Sequence, residues 1–271
     1  MILLARSGKS VLVEDRKLVH RWGAHSGQSG HWFESKQCNC GRCGCSARWQ
    51  NRAIHFLSPS VVSILLPLSA TLAAYLLGSL SFAVIVSRAM GLSDPRSYGS
   101  KNPGATNVLR SGSKAAAVVT LLLDAAKGWL PVALVRWFGA PFGLEEGTMA
   151  MVGLAAFAGH LWPVFFPFEG GKGVATALGV LLGVSGWLGL ATLLTWVIVA
   201  FFFRYSSLAS LVAAAFAPFF YFLGAGMVWY SDARLGVAMV VMAGLLAWRH
   251  KANIQRLIQG KESRLGAKKK A

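Results

Sequence analysis

Residues 174–203 read Val-Ala-Thr-Ala-Leu-Gly-Val-Leu-Leu-Gly-Val-Ser-Gly-Trp-Leu-Gly-Leu-Ala-Thr-Leu-Leu-Thr-Trp-Val-Ile-Val-Ala-Phe-Phe-Phe, with no charged side chain among them. One continuous helix would be about 45 Å long at 1.5 Å per residue. A bilayer core is only about 30 Å thick, so one untilted crossing cannot use so much chain. Ser185 and Gly186 interrupt the run near its middle, which predicts two helices, 174–184 and 187–203, the first of them short. Working outward, similar apolar runs predict spans near 60–88, 115–138, 148–166, 207–226 and 233–249. The expected fold is an all-α, polytopic integral membrane protein of about seven transmembrane helices. A five- or six-crossing arrangement is the alternative.

Composition agrees. The chain has 271 residues, 55% hydrophobic and only 14% charged, yet carries 27 Lys and Arg against 10 acidic residues, a net charge of +17. Mean hydropathy is +0.52. Such apolar content excludes disorder over most of the chain. A soluble nucleic-acid binder is excluded too, because its basic residues would line a polar face and not punctuate long apolar runs.

The charges test the topology, since Lys and Arg concentrate in cytoplasmic segments. If the first helix runs outside to inside, the inner segments carry Arg88, Arg96, Lys101, Arg110, Lys114, Lys172, Arg204, Arg249, Lys251 and Arg256, with the tail through Lys270. The outer segments carry Glu145, Glu146 and Asp232, with Arg136 and Arg234 at helix ends. The expected orientation therefore has the N-terminus of the first helix periplasmic and the C-terminus cytoplasmic.

Residues 1–55 read differently. They hold 9 Lys and Arg, 3 acidic residues, 4 of the 6 His and all 4 Cys, and no apolar run is long enough for a secretory signal. Cys38, Cys40, Cys43 and Cys45 are spaced too tightly for a zinc finger. A soft-metal site stays open as the alternative. Translocating so basic a segment is unfavourable, so 1–55 is expected to be a disordered extension or a gene-start artefact. Residues 56–260 form the expected membrane-embedded domain, and 261–271 a basic cytoplasmic tail.

Three polar segments fall on the expected cytoplasmic face. The first is Gly99-Ser100-Lys101-Asn102-Pro103-Gly104-Ala105-Thr106-Asn107, followed by Arg110. Its glycines let backbone N–H groups approach an anion. Ser100, Asn102, Thr106 and Asn107 offer neutral hydrogen bonds, and Arg110 a bidentate charged one. An ordinary turn with a helix cap would not need so many such residues. The second is Glu169-Gly170-Gly171-Lys172-Gly173-Val174-Ala175-Thr176, a phosphate-cradle composition opening a helix. It lacks the spacing of a Walker A loop. The third is Arg249-His250-Lys251-Ala252-Asn253, with His250 and Asn253 on one helical face. Alone it would read as a basic stop-transfer cluster. Arg204, Ser207 and Ser210 form a weaker fourth cluster.

Asp124 and Lys127 lie at membrane depth, where ionisable groups are costly and face protein or a water-filled cavity. Their spacing allows an ion pair as readily as a catalytic role. His160 reads as a hydrogen-bonded packing residue. No His is followed five residues later by Asp: the offset reaches Phe165 from His160 and Gln255 from His250, so the His-x4-Asp dyad of the common glycerolipid acyltransferases is absent. No metal-spaced His and carboxylate cluster occurs in the membrane region, and no metal or cofactor is expected.

Six motifs occur in order over about residues 70–260: Gly-Ser-x-Asn-Pro-Gly-Ala-Thr-Asn-Val-x-Arg, Leu-Leu-Leu-Asp-x-x-Lys-Gly, Gly-His-x-x-Pro-x-Phe, Gly-Gly-Lys-Gly-Val-Ala-Thr, Arg-Tyr-x-Ser-Leu-Ala-Ser and Arg-His-x-x-Asn-Ile. The set resembles the bacterial acyl-phosphate-dependent glycerol-3-phosphate acyltransferases, the PlsY type. The resemblance implies a multi-pass enzyme of the bacterial inner membrane with seven helices. Its substrates would be acyl phosphate and glycerol 3-phosphate, and its products 1-acyl-glycerol 3-phosphate (lysophosphatidate) and phosphate. It implies that Ser100 and Arg110 are essential, that Gly170, Gly171, Lys172 and Gly173 form the glycerol-phosphate loop, and that Ser207, Ser210, His250 and Asn253 complete the site. The family often has Gly where this chain has Lys101, and residues 1–55 have no counterpart in it.

This role fits the residue types. Two phosphorylated substrates suit basic, Gly-rich loops, and an acyl chain suits a membrane surface. An activated acyl phosphate needs orientation, charge neutralisation and proton removal. Arg110, Lys172, Ser100 and His250 are the expected catalytic group. Asn102, Gly104, Thr106, Asn107, Gly170, Gly171, Gly173, Thr176, Ser207, Ser210 and Asn253 are expected to bind substrate. His250 or a substrate phosphate oxygen would be the base. The competing reading is an anion transporter using Asp124 and Lys127 as a permeation path.

Overall fold

A computed structural model describes residues 59–266, so the calls on residues 1–55, the cysteine cluster included, and on the last residues of the tail lie outside the described residues. In chain order the helices are α1 (Pro59–Gly78), α2 (Phe82–Ala89), α3 (Ala105–Val108), α4 (Lys114–Phe138), α5 (Glu146–Leu161), α6 (Val174–Val184), α7 (Gly186–Phe203), α8 (Ser206–Leu223), α9 (Ala233–Arg249) and α10 (Lys251–Ile258). No strand occurs among the described residues.

The break expected at Ser185 is observed. α6 ends at Val184, and Ser185 turns the chain in an extended conformation. Its hydroxyl caps α7 by accepting from the Leu188 N–H at 3.5 Å. A second break interrupts the span expected at 60–88. α1 and α2 meet at a 44° bend over Ser79–Ser81. Ser79 Oγ donates to the Tyr75 carbonyl at 2.8 Å, and Lys127 Nζ donates to the Leu80 carbonyl at 2.7 Å. The Tyr75 carbonyl also accepts the Ser79 N–H at 2.9 Å, whereas the Leu80 carbonyl, freed by the break in an apolar setting, is satisfied by the Lys127 side chain.

α4, α7 and α8 are each long and apolar enough to cross a membrane alone, while α1 with α2 and α9 with α10 reach that length as bent pairs. α6 is an apolar helix of only 11 residues. It packs closely on α4, because Gly179 and Gly183 bring its backbone against Ala125, Trp129 and Val132. Small residues four apart serve this purpose where hydrophobic burial cannot drive helices together. The core is built from α1 and α4 to α9 and includes Val132, Phe157, Leu161, Val180, Leu188, Tyr221 and Met239.

The loops gather at two ends. At one end the segments after α2, α5, α7 and α9 converge on a cleft. At the other, Glu146 at the start of α5 faces Arg234 at the start of α9 at 3.9 Å, and Arg136 near the end of α4 donates to the Val184 carbonyl at 2.6 Å.

Candidate active site

The cleft has a volume of about 1530 Å³. Its mouth is lined by the three polar segments, and its floor by apolar side chains such as Leu121, Leu181, Leu193, Ala217, Met242 and Leu246. Ser100, Asn102, Gly104, Thr106, Asn107, Arg110, Gly170, Lys172, Gly173, Ser207, Ser210, His250 and Asn253 all line it. Residues separated by more than a hundred positions therefore share one site. Gly171 and Thr176 do not line it and lie behind the loop. The Gly171 N–H donates to the His160 carbonyl at 3.1 Å, and Thr176 Oγ1 lies 3.2 Å from His160 Nδ1.

The first loop is shaped from within by Asn107. Its Nδ2 donates to the Pro95 carbonyl at 2.6 Å, and its Oδ1 accepts the Ser100 N–H at 3.1 Å. Asn107 is buried, and these bonds occupy its amide with the loop's own backbone. Gly99 takes φ +61, and a Cβ there would strike Asn107 Oδ1. Lys101 also adopts a left-handed conformation, φ +54, in which glycine is at ease and a side chain is strained. Arg110 reaches across the mouth, where its Nη2 donates to Ser263 Oγ at 3.1 Å.

The glycine loop is held by Arg249. Its Nε donates to the Gly171 carbonyl at 3.1 Å and its Nη2 to the Gly170 carbonyl at 2.5 Å. Gly173, at φ +80, caps α6 under Phe157 and Leu161. Lys172 projects into the cleft, and its Nζ donates to Asn253 Oδ1 at 2.5 Å. Burial, opposed by Glu262 and reinforced by Arg256, Arg110 and Arg249, pulls its ammonium down to about 8.

Asn253 continues the network. Its Nδ2 donates to Glu262 Oε1 at 2.6 Å, Ser207 Oγ donates to the same oxygen at 2.8 Å, and Arg256 Nε donates to Oε2 at 2.7 Å. Burial would raise the Glu262 carboxyl, but these three donors hold it below its ordinary value. Ser210 Oγ donates to the Ser206 carbonyl at 2.8 Å and accepts from Trp196 Nε1 at 3.1 Å.

His250 lies just past the end of α9, at the 60° bend into α10. Its Nδ1 is 2.8 Å from the Leu246 carbonyl. A carbonyl only accepts, so Nδ1 carries the proton and Nε2 keeps its lone pair. Burial, with the Lys172 charge nearby, lowers the imidazolium to about 4, so the ring is neutral near pH 7.

Sequence reasoning missed Glu262 and Arg256, and took Arg249 only as part of a basic cluster. Glu262 lies in a segment that reads as a basic tail. Its only local signal is that it is acidic among Lys261, Arg264 and Lys268. Asp124 and Lys127 form a closed pair at 2.9 Å, both buried. Lys127 also holds the Leu80 carbonyl.

A cationic, hydrogen-bonding mouth above an apolar floor, in a bundle with helices long and apolar enough to cross a membrane, defines an integral membrane protein with a site shaped for a ligand both anionic and apolar. The comparisons name the family. The glycerol-3-phosphate acyltransferase family matches residues 68–260. The glycerol-3-phosphate acyltransferase of Albidiferax ferrireducens is 71% identical over 202 residues, covering 74% of this chain and 90% of that one. That of Ralstonia pickettii is 61% identical over 215 residues, covering 79% of this chain and 100% of that one. Among solved structures, the glycerol 3-phosphate form of PlsY (YgiH), an integral membrane glycerol 3-phosphate acyltransferase, superposes with a TM-score of 0.67 at 39% identity over 74% of this chain and 96% of that one. Its lysophosphatidic acid form gives the same TM-score at 38% identity, over 74% and 95%. This chain belongs to the glycerol-3-phosphate acyltransferase family, as a multi-pass membrane acyltransferase of phospholipid synthesis. Membership decides for the enzyme against the transporter reading.

Proposed function

We propose that the acyl donor is acyl phosphate and that the acceptor is the sn-1 hydroxyl of glycerol 3-phosphate, giving 1-acyl-glycerol 3-phosphate and phosphate. The observation that carries this reading is the convergence of Arg110, Lys172, Arg249 and Arg256 on a mouth that opens onto an apolar floor. Two phosphates need several cations, and the acyl chain needs the floor. Lys172, Asn253 and the glycine loop hold the phosphate of glycerol 3-phosphate. Ser100, Asn102 and Arg110 hold the phosphate of the donor, and Arg110 leaves only a neutral hydroxyl, Ser263, to do so.

The sn-1 oxygen attacks the acyl carbonyl carbon, the bond from that carbon to the phosphate oxygen breaks, and phosphate leaves with the electron pair. Arg110 offsets its charge. The hydroxyl proton has two candidate acceptors. His250, with a conjugate acid near 4, is a weak base. A phosphate oxygen is stronger, with a second pKa of about 6. The proton therefore passes to phosphate, and His250 Nε2 orients glycerol 3-phosphate by accepting a hydrogen bond from its other hydroxyl, at sn-2. Among the described residues three carboxylates line the cleft, Asp124, Glu169 and Glu262, and the two that lie deepest in the hydrogen-bond network, Asp124 and Glu262, are already bound to Lys127 and Arg256.

The reading includes seven crossings of a bacterial inner membrane, with the cleft on the cytoplasmic side. Two facts support this. Successive helices from α4 to α9 join the two ends of the bundle alternately. Arg96, Lys101, Arg110, Lys114, Lys172, Arg249, Arg256 and Lys261 all line the cleft. The test uses purified protein in detergent with acyl phosphate and glycerol 3-phosphate. Ser100→Ala and Lys172→Ala are each expected to lower phosphate release at least tenfold with the fold retained. Undiminished release from both variants would overturn the assignment.

A further inference from the structure

Two of the six motifs, Leu121–Gly128 and Gly159–Phe165, contribute nothing to the chemistry described so far, although they place charges at membrane depth. The structure joins them in one chain of contacts. Lys127 Nζ holds the Leu80 carbonyl at the α1–α2 break at 2.7 Å and pairs with Asp124 Oδ1 at 2.9 Å. The same Asp124 oxygen lies 3.6 Å from His160 Nδ1. His160 then grips the glycine loop from both sides. Its carbonyl accepts the Gly171 N–H at 3.1 Å, and its Nδ1 bonds Thr176 Oγ1 in the first turn of α6 at 3.2 Å. Its ring also lies against Gly171, where a Cβ would collide with Nε2. The bracketed segment, Gly171 to Thr176, contains Lys172. All four side chains are buried, Thr176 completely.

We propose that Asp124, His160 and Thr176 are positioning residues that fix the glycine loop in the shape presenting Lys172 to the phosphate of glycerol 3-phosphate, with Lys127 balancing their charge and anchoring them to the α1–α2 break. This rests on the assignment of Lys172 to that phosphate. A buried ion pair is weak evidence for stability by itself, since desolvation offsets its attraction. Here the pair terminates beneath the loop, where the other buried side chains against it, Phe157 and Leu161, offer no hydrogen bond, and the Arg249 clamp reaches only its outer carbonyls. Arg249 fixes residues 170 and 171, whereas His160 and Thr176 fix the far side of the loop.

The decisive variant is Thr176→Val, which keeps the shape and removes the hydroxyl, so the fold survives. Losing one buried hydrogen bond is expected to raise the KM for glycerol 3-phosphate about tenfold. The KM for acyl phosphate should stay near wild type, and the thermal midpoint, lowered by the lost bond, should stay above the assay temperature so that the enzyme remains folded. Thr176→Ser should restore the glycerol 3-phosphate KM. Asp124→Asn should act in the same direction where it folds. A purely structural role would lower the thermal midpoint and the amount of folded enzyme while leaving both KM values alone. An unchanged glycerol 3-phosphate KM in Thr176→Val, or an equal rise in both KM values, overturns the proposal. Lys172→Met is measured beside it. If that variant keeps a wild-type glycerol 3-phosphate KM, the assignment of Lys172 fails, and the positioning claim fails with it. If it raises that KM while Thr176→Val does not, the positioning claim alone is lost.

Discussion

Lys172 should impose an alkaline limit on the reaction well below that of an ordinary lysine. Its ammonium is partly buried near Arg110, Arg249 and Arg256, and that burial brings it down to about 8. A surface lysine titrates near 10.4. Only the protonated form offers charge to the glycerol 3-phosphate phosphate. At pH 7 about nine-tenths of Lys172 is protonated, and at pH 9 about one-tenth. The kcat/KM for glycerol 3-phosphate, which reports the free enzyme, should therefore fall about tenfold between these values and about tenfold per further unit. The phosphate of glycerol 3-phosphate is a dianion throughout this range, since its second pKa is about 6, so the substrate adds no limb of its own. The assay is initial-rate phosphate release at subsaturating glycerol 3-phosphate from pH 6.5 to 9.5. Lys172→Arg supplies the control. A guanidinium stays charged but cannot match the ammonium's bond to Asn253, so efficiency should drop while the alkaline fall disappears. A wild-type profile flat to pH 9.5, or the same fall in Lys172→Arg, would refute the reasoning.

Other outcomes follow from the same contacts. His250→Ala should lower kcat about a hundredfold, because glycerol 3-phosphate loses the acceptor that orients it through its sn-2 hydroxyl. Any acid limb should come from the phosphate, near pH 6, and be retained in His250→Ala, because burial keeps His250 neutral down to about 4. Near-normal turnover in His250→Ala would remove it from the mechanism. Glu262→Gln keeps the shape but removes the charge that holds Arg256, Asn253 and Ser207. About 1–3 kcal/mol of stability should be lost, read as a lower thermal midpoint. Because the Glu262 carboxyl is held low, its contribution is present above the unfolded carboxyl pKa and disappears as pH falls through the folded value. Gly173→Ala should abolish most activity, since φ +80 and the Phe157 ring leave a methyl no place. Lys101→Gly should retain activity and stabilise the chain by about 1 kcal/mol through relief of its left-handed backbone, seen as a raised thermal midpoint.

Most of the helices and the polar face were legible because apolar run length and Lys/Arg placement are local signals. Ser185 ended α6 as expected, since a serine with a following glycine caps and turns a helix without help from elsewhere. The α1–α2 break was hidden because the group that satisfies Leu80 is Lys127, on another helix. Asn107 and Thr176 were expected to bind substrate by residue type. In the structure both bond within or beneath their loops, Asn107 while also lining the cleft and Thr176 behind it, and residue type does not distinguish the two uses. Glu262 escaped notice because its partners, Ser207, Asn253 and Arg256, come together only once α8 and α10 meet. Lys101 shows the reverse. A departure from the family's usual glycine was visible in the sequence, and its left-handed backbone now explains the usual residue.

The most direct measurement incubates the purified, detergent-solubilised protein with acyl phosphate, with and without glycerol 3-phosphate, and quantifies both free phosphate and acylated product. The proposed chemistry requires equimolar phosphate and 1-acyl-glycerol 3-phosphate, formed only when both substrates are present. Phosphate released without glycerol 3-phosphate, or acylated product formed from an acyl thioester but not from acyl phosphate, would contradict it.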